Sequence, residues 1–233
     1  MIDDFEARVT AVAALDQPLR RALYDVLTDR GGWIGRDEAA DAVEAPRSVV
    51  AFHLDKLVEA GLLEVRFERT SGKSGPGAGR PSKLYRRVLA EVSVSLPARH
   101  YDLAGQLLAR AVEDAAANKT SVTDALSAAA RDEGRRLGDV ARADVGARRS
   151  ARSARRAVMH ALEQIGYEPT LVGSEIVLRN CPFHALAEEH RALVCGMNLD
   201  FLAGVIEQAD GGGGFSARLH PEPGLCCVRL SVA

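Results

Sequence analysis

Apolar residues recur at helical spacing along the first third of the chain and then alternate with polar residues. A stripe that includes Leu23 and Leu27 predicts a helix over residues 18–30, which Gly31 would end. A second stripe predicts a helix over residues 46–60, and a shorter helix is expected between the two. The pattern therefore begins with three consecutive helices.

Two segments with strand-like alternation follow these helices. Residues 62–69 alternate apolar and polar positions, and residues 82–90 do so after a stretch rich in Gly, Ser and Pro. Three helices followed by a hairpin with a long tip is the winged helix-turn-helix plan, whose third helix enters the major groove of DNA.

The residues of this part also resemble the bacterial ArsR/MarR-like winged-helix regulators, over roughly residues 10–90. The segments that carry the resemblance are LDQPLRRALYDVL, SVVAFHLDKLVEAGLLE and, at the wing, GAGRPSKLYRR. The resemblance implies a transcriptional regulator whose partner is a double-stranded DNA operator.

The distribution of charge along the chain agrees with a nucleic-acid partner, although the net charge of the whole chain does not. The formal net charge is -2, yet seven basic residues stand against one acid between Arg66 and Arg87. We predict phosphate contacts from this hairpin, although such a run can also be an ordinary solvated loop. The predicted DNA-binding residues are Arg47, Ser48, His53, Lys56, Arg69, Lys73, Arg80 and Lys83.

Two of these residues have a specific expectation attached. Arg80 lies between Gly79 and Pro81, a tripeptide that resembles a minor-groove insert. For His53, an exposed helix position without a DNA contact is the favoured alternative.

Beyond Pro97 the pattern is helical for a long distance and then changes again. Helical segments over 96–166 predict a region that joins two subunits, since two-fold DNA sites favour a homodimer. A strand over 170–178, helices opening at Pro182 and Asn198, and two last strands follow. The predicted fold class is mainly α with α+β modules: a winged helix-turn-helix over 1–95, central dimerisation helices over 96–166, and a small sensor module over 167–233.

All the cysteines lie in this last module: Cys181, Cys195, Cys226 and Cys227. In a cytoplasmic chain they favour metal, redox chemistry or burial over disulfides. On one continuous helix Cys181 and Cys195 would lie about 21 Å apart, so shared ligation requires a break near 189–191, with each cysteine ahead of its own short helix. Neighbours on a strand point to opposite faces, so one of Cys226 and Cys227 is the expected ligand, with Cys226 preferred.

This module resembles the sensor domain of the SufR-like iron–sulfur-responsive repressors, through NCPFHALAEEHRALVCGMN and PGLCCVRL. The resemblance implies an Fe–S cluster, 2Fe–2S or 4Fe–4S, that controls DNA affinity. Its ligands would be Cys181, Cys195 and one of Cys226 and Cys227. The fourth ligand stays open, and His184 is one candidate.

Other functions remain as alternatives. Zinc bound by three thiolates and a histidine fits the same spacing, and in a domain that binds an organic effector the cysteines would be bystanders. Thiol catalysis by Cys195 with His184 or His190 lacks an orienting Asn or Asp, so no enzyme is expected. An acidic N-terminus and the absence of an apolar run of about 20 residues predict no signal peptide, no membrane span and a cytoplasmic, nucleoid-associated protein.

Overall fold

A computed structural model describes residues 5–68, 81–145, 151–210 and 214–232. The chain divides into two compact units, Met1–Val94 and Ser95–Ala233, here called unit 1 and unit 2. Each unit has its own hydrophobic core. The predicted helical region 96–166 and the predicted module 167–233 contribute to the same core of unit 2.

Unit 1 consists of four described helices and a small antiparallel sheet. The helices are α1 (Phe5–Ala14), α2 (Pro18–Arg30), α3 (Arg36–Ala42) and α4 (Arg47–Glu59), and the strands are β1 (Ile34–Gly35), β2 (Leu63–Glu68) and β3 (Ser82–Arg87). The three predicted helices and the hairpin strands are confirmed, apart from a few residues at their ends. The helix α1 and the short strand β1 were not predicted.

Local chemistry explains where the main helices of unit 1 begin and end. Helix α2 opens on Pro18 and ends at Gly31, whose φ of +67° is a left-handed conformation that favours glycine. Helix α4 follows Pro46 and buries Leu54 and Leu57 against the other helices. Strand β3 lies between β1 and β2, and its Tyr85 is fully buried in this core.

Unit 2 combines five described helices with a second antiparallel sheet in the order β4-β5-β7-β6. The helices are α5 (Tyr101–Asn118), α6 (Val122–Val145), α7 (Ala151–Gln164), α8 (His184–Glu189) and α9 (Arg191–Asp210). The strands are β4 (Pro169–Val172), β5 (Glu175–Leu178), β6 (Phe215–Leu219) and β7 (Val228–Val232).

Helices α6 and α9 lie against each other with little space between their backbones. A Cβ added to Gly134 of α6 would overlap the carbonyl oxygen of Phe201 in α9, and one added to Gly204 of α9 would overlap that of Arg131 in α6. The two glycines therefore permit an approach that any side chain would prevent.

Helix α9 is apolar enough to need a separate explanation. The window Arg191–Ala209 has the length and composition of a membrane span, contrary to the expectation that no such segment exists, and 56% of it is buried. This burial is typical of the core helix of a soluble protein, and the packing of α9 against α6, α7 and β6 accounts for its apolar sequence.

Two predictions about unit 2 are wrong. The single strand predicted over 170–178 is a hairpin of β4 and β5, because Gly173 adopts a φ of +61° and turns the chain back. The predicted helix break is found at His190, but Cys195 does not precede a separate helix. It lies inside α9, because the segment that contains it continues directly into the apolar residues that follow.

Candidate DNA-binding helix and cysteine site

The face of α4 opposite its buried stripe carries both polar and apolar side chains. Ser48, Val49 and Phe52 are exposed there, and Arg47 is exposed in the first turn of the helix, nearer to the buried stripe. Lys56 is half-buried, and its Nζ lies 5.8 Å from the centre of the Phe52 ring. The exposed part of α4 therefore offers a cation and a hydroxyl in its first turn and an apolar surface one turn further.

Phe52 is the residue of this face that the sequence interpretation missed. The side chain is 56% exposed, which is unusual for a large aromatic residue in a helix with a clear buried stripe. A phenylalanine outside the stripe of Val50, Leu54 and Leu57 was the available signal. Apolar side chains on a recognition helix can contact the methyl group of thymine.

Two of the residues of α4 that were predicted to contact DNA, Arg47 and His53, differ in their exposure and in their polar contacts. Arg47 forms an ion pair with Asp37 at an exposed position, where such pairs contribute little and exchange easily. The Nδ1 atom of His53 is buried and has no hydrogen-bond partner among the described residues. Burial, and then the charge of Arg20, lower the pKa of His53, which favours a neutral imidazole rather than a phosphate contact.

Lys83, predicted as a DNA contact, is part of a network that ties α4 to β3. Its Nζ lies 2.5 Å from Oδ1 of Asp55, the Tyr85 hydroxyl donates to the same oxygen at 2.7 Å, and Arg36 reaches Oδ2 at 3.3 Å. Burial, and then the hydrogen bond to Asp55, raise the pKa of Tyr85 to about 12. Lys83 therefore braces the candidate DNA-binding helix instead of projecting freely.

We expect this network to make the stability of unit 1 depend on pH. Partial burial raises the pKa of Asp55, but the hydrogen bonds from Lys83 and Tyr85 outweigh that effect and hold it below its ordinary value. A carboxylate with a lowered folded-state pKa stabilises the fold above its unfolded pKa, and this contribution is lost as pH falls through the folded value. Asp55→Asn should therefore lower the free energy of unfolding at about pH 7 and have a smaller effect near pH 3.

Urea unfolding followed by Trp33 fluorescence measures this difference, because Trp33 is the one tryptophan of the chain and belongs to unit 1. Asp41→Asn removes the same charge from an exposed position of α3 and serves as the control. A loss of stability in Asp55→Asn that is equal at both pH values would contradict the expectation.

The described part of the hairpin is less positive than its sequence suggests. Arg66 pairs with Glu68, and Arg86 pairs with Glu64, each with 2.6 Å between nitrogen and oxygen. Both guanidinium groups also lie over the ring of Trp33, at 4.5 and 4.6 Å from its centre. The predicted contacts Arg69, Lys73 and Arg80 lie outside the described residues.

In unit 2 a cavity of about 360 Å³ lies beside the cysteines. Cys181, Cys195 and Cys227 line this cavity, and His184 and Arg191 contribute to its wall. The structure thus brings together residues from the segment before α8, from α9 and from the segment before β7. We call Cys181, Cys195 and Cys227, with the cavity between them, the cysteine site.

Cys226 is close to this site but occupies a different position. It is buried on the same face as Val228 and Leu230, as the alternation of the strand predicted, and it is not among the residues that line the cavity. The thiols of Cys181 and Cys227 both influence the pKa of Cys226. Of the two neighbours, Cys227 therefore lines the cavity, whereas Cys226 was the preferred ligand in the sequence analysis.

The environment of the thiols favours their neutral form in the absence of a bound cation. The hydrogen bond with Cys226, and then burial, raise the pKa of Cys181, and burial raises that of Cys195. For Cys226 the hydrogen bond with Cys181 lowers the pKa, but Cys227 and burial outweigh it and raise the value to about 12. Coordination to a metal would reverse this preference, because a coordinating thiol is deprotonated.

The relative positions of the possible metal ligands are a further feature of the structure. Among the described residues, no three side chains of His, Cys, Asp or Glu converge on one metal ion. His184 faces the cavity, and its Nε2 lies 3.3 Å from Oε1 of Glu188.

Comparison with known proteins gives one finding. Residues 15–66 match the family of helix-turn-helix domains, and this range contains α2, α3 and α4. No curated protein matches the chain, and no solved structure does. The N-terminal unit thus contains a helix-turn-helix domain, which supports a DNA-binding transcription regulator.

Proposed function

We propose that the protein is a DNA-binding transcription regulator of the winged helix-turn-helix type, whose affinity for its operator is controlled by an Fe–S cluster at the cysteine site. The observation that carries the DNA-binding part is the exposed first turn of α4, which lies within the helix-turn-helix match and contains Arg47 and Ser48. The first turn of a recognition helix presents its side chains and its positive helix dipole to DNA.

A two-fold operator requires two recognition helices, so the proposal includes a homodimer. Val112 of α5 and Val140 of α6 are more than half exposed and offer apolar surface for a contact between subunits. DNA as the partner implies a location in the cytoplasm with the nucleoid. We propose no enzymatic activity.

The regulatory part of the proposal rests on the three cysteines that line one cavity. Cys181, Cys195 and Cys227 would hold the cluster, and His184 is a candidate for the remaining position. Thiolates are the usual ligands of Fe–S clusters, and the cavity of about 360 Å³ has room for a group larger than one ion. When bound, a cluster supplies a group whose state depends on iron and on oxidants.

The cysteines belong to separate elements, and this explains how ligation could affect the fold. Cys181 precedes α8, Cys195 lies in α9, and Cys227 precedes β7. Ligation of all three would fix these elements to one another, and loss of any ligand would release one of them. The chain thus has the connections needed to couple cluster state to the conformation of unit 2.

DNA binding by the full-length protein, purified without oxygen, tests the proposed function. Duplexes selected from a random library by the wild-type protein serve as probes. Arg47→Ala should weaken binding by roughly 5- to 150-fold, since loss of a specific base contact costs about 1–3 kcal/mol. If Arg47 contacts only phosphate, the slope of log affinity against log salt should fall by about 1.

Arg110→Ala is the matched control, because it removes the same charge from α5 in unit 2. Its affinity and salt dependence should equal those of the wild type. If Arg47→Ala binds like the wild type at every salt concentration, α4 is not the DNA-reading helix. If removing bound iron leaves affinity unchanged, the regulatory part of the proposal is wrong.

A further inference from the structure

A buried asparagine lies directly behind the cysteine site. Asn198 of α9 is 1% exposed and is one of two buried polar residues, with Asn180, in the part of the chain that the structure describes. Burying an amide is costly unless its hydrogen bonds are made. Both the oxygen and the nitrogen of the Asn198 side chain form hydrogen bonds, which points to a defined role for this residue.

The two partners of Asn198 set the direction of a hydrogen-bond chain. The hydroxyl of Tyr167, a fully buried residue, donates to Oδ1 of Asn198 at 2.5 Å. Nδ2 of Asn198 then donates to Sγ of Cys226 at 3.2 Å. With Oδ1 occupied by the tyrosine, the amide presents its N–H to the sulfur, where it favours negative charge.

Cys226 is fixed at the end of this chain and touches the cysteine site. Its backbone N–H donates to the carbonyl oxygen of Leu178 at 2.9 Å, and its side chain is 2% exposed. The thiol interacts with Cys181 and Cys227, both of which line the cavity. Cys226 thus lies between the asparagine and the cavity-lining sulfurs.

We infer that Tyr167, Asn198 and Cys226 form a buried hydrogen-bond relay that positions and polarises the sulfurs of the cysteine site, and that Cys226 is a positioning residue rather than a ligand. The inference rests on the proposed function. Hydrogen bonds to the sulfurs are among the features that set the reduction potential of an Fe–S cluster. Groups that orient metal ligands also affect metal affinity strongly.

If the relay acts on the site, substitutions in it should change the reduction potential of the cluster without changing the iron and sulfide content of the protein. Full-length protein is reconstituted without oxygen from ferrous iron and sulfide, and its iron, sulfide, visible circular dichroism and reduction potential are measured. Tyr167→Phe removes only the hydroxyl, and Asn198→Asp replaces the N–H donor by an acceptor of the same shape. Both variants should keep the iron and sulfide of the wild type and shift the potential to more negative values, Asn198→Asp by more.

Two further variants complete the design. Cys226→Ser keeps a hydroxyl donor and should retain iron and sulfide. Tyr101→Phe removes a partly exposed hydroxyl of unit 2, which accepts a hydrogen bond from the backbone N–H of Ala185, and should leave the potential unchanged. If Asn198→Asp does not fold, Tyr167→Phe still decides, because it keeps the buried ring.

Three results would overturn the relay. Loss of iron and sulfide in Cys226→Ser would make Cys226 a ligand. An unchanged potential in Tyr167→Phe and Asn198→Asp, with intact composition, would show that the chain does not act on the site, while the proposed function would stand. A wild type that takes up neither iron nor sulfide would remove the proposed function and the relay together.

Discussion

Gly204→Ala should destabilise unit 2 by about 1–2 kcal/mol, although alanine is the better helix former. The added Cβ would overlap the carbonyl oxygen of Arg131, which is backbone and cannot rotate away as the end of a side chain can. Overpacking of this kind typically costs about 1–3 kcal/mol and sometimes more. The gain in helix propensity, about 1 kcal/mol, offsets only part of the strain when a rigid helix must move.

Urea unfolding followed by far-ultraviolet circular dichroism measures the effect. Gly196→Ala is a matched control on the same helix, because a Cβ there meets no atom within 4 Å. It should be as stable as the wild type or more stable by up to about 1 kcal/mol. If Gly204→Ala unfolds at the same urea concentration as Gly196→Ala, α6 and α9 do not approach as closely as described.

Cys227→Ser should abolish cluster binding and, with it, the response of DNA affinity to the cluster. The wild type, purified without oxygen, should be brown and contain iron and sulfide. The variant should lose the visible absorption and most of both elements, because a ligand from the segment before β7 is gone. Chelator treatment, which should change the affinity of the wild type for DNA, should leave the affinity of the variant unchanged.

Cys226→Ser is the control, because it changes the adjacent thiol, which does not line the cavity. Iron and sulfide retained in this variant and lost in Cys227→Ser would show that the loss is specific to the cavity-facing thiol. Wild-type iron and sulfide in Cys227→Ser would exclude Cys227 as a ligand. Colourless wild-type protein with stoichiometric zinc would favour the zinc alternative. Protein with neither metal, in which Cys181→Ser retains an effector response, would favour an organic ligand in the cavity.

Most of the secondary structure of unit 1 could be predicted from short-range patterns in the sequence. The stripes of α2 and α4, the Gly31 end and the alternation of the hairpin strands all depend on residues within a few positions of each other. The helix α1 was missed although Phe5, Val9 and Val12 recur at helical spacing, and the structure leaves these side chains exposed. The strand β1 was missed because a strand of two residues leaves no periodic signal.

Partners distant in sequence could not be predicted in the same way. The pairing of Lys83 with Asp55 was not predicted because Asp55 lies 28 residues earlier, in α4. The helix start expected after Cys195 failed because α9 is buried on several sides, so no apolar stripe marks where it begins. Neither arrangement leaves a trace in local periodicity.

The order of the elements in the helix-turn-helix region and the restriction of the cysteines to the last quarter of the chain follow from the amino-acid sequence alone. That Cys227 lines the cavity while Cys226 meets Asn198, and that glycines let α6 approach α9, became evident only from the folded chain. The difference lies in the sequence distance between the interacting residues. Helix caps and strand alternation are properties of neighbouring residues, whereas a cavity and its hydrogen-bonded wall exist only once distant elements pack together.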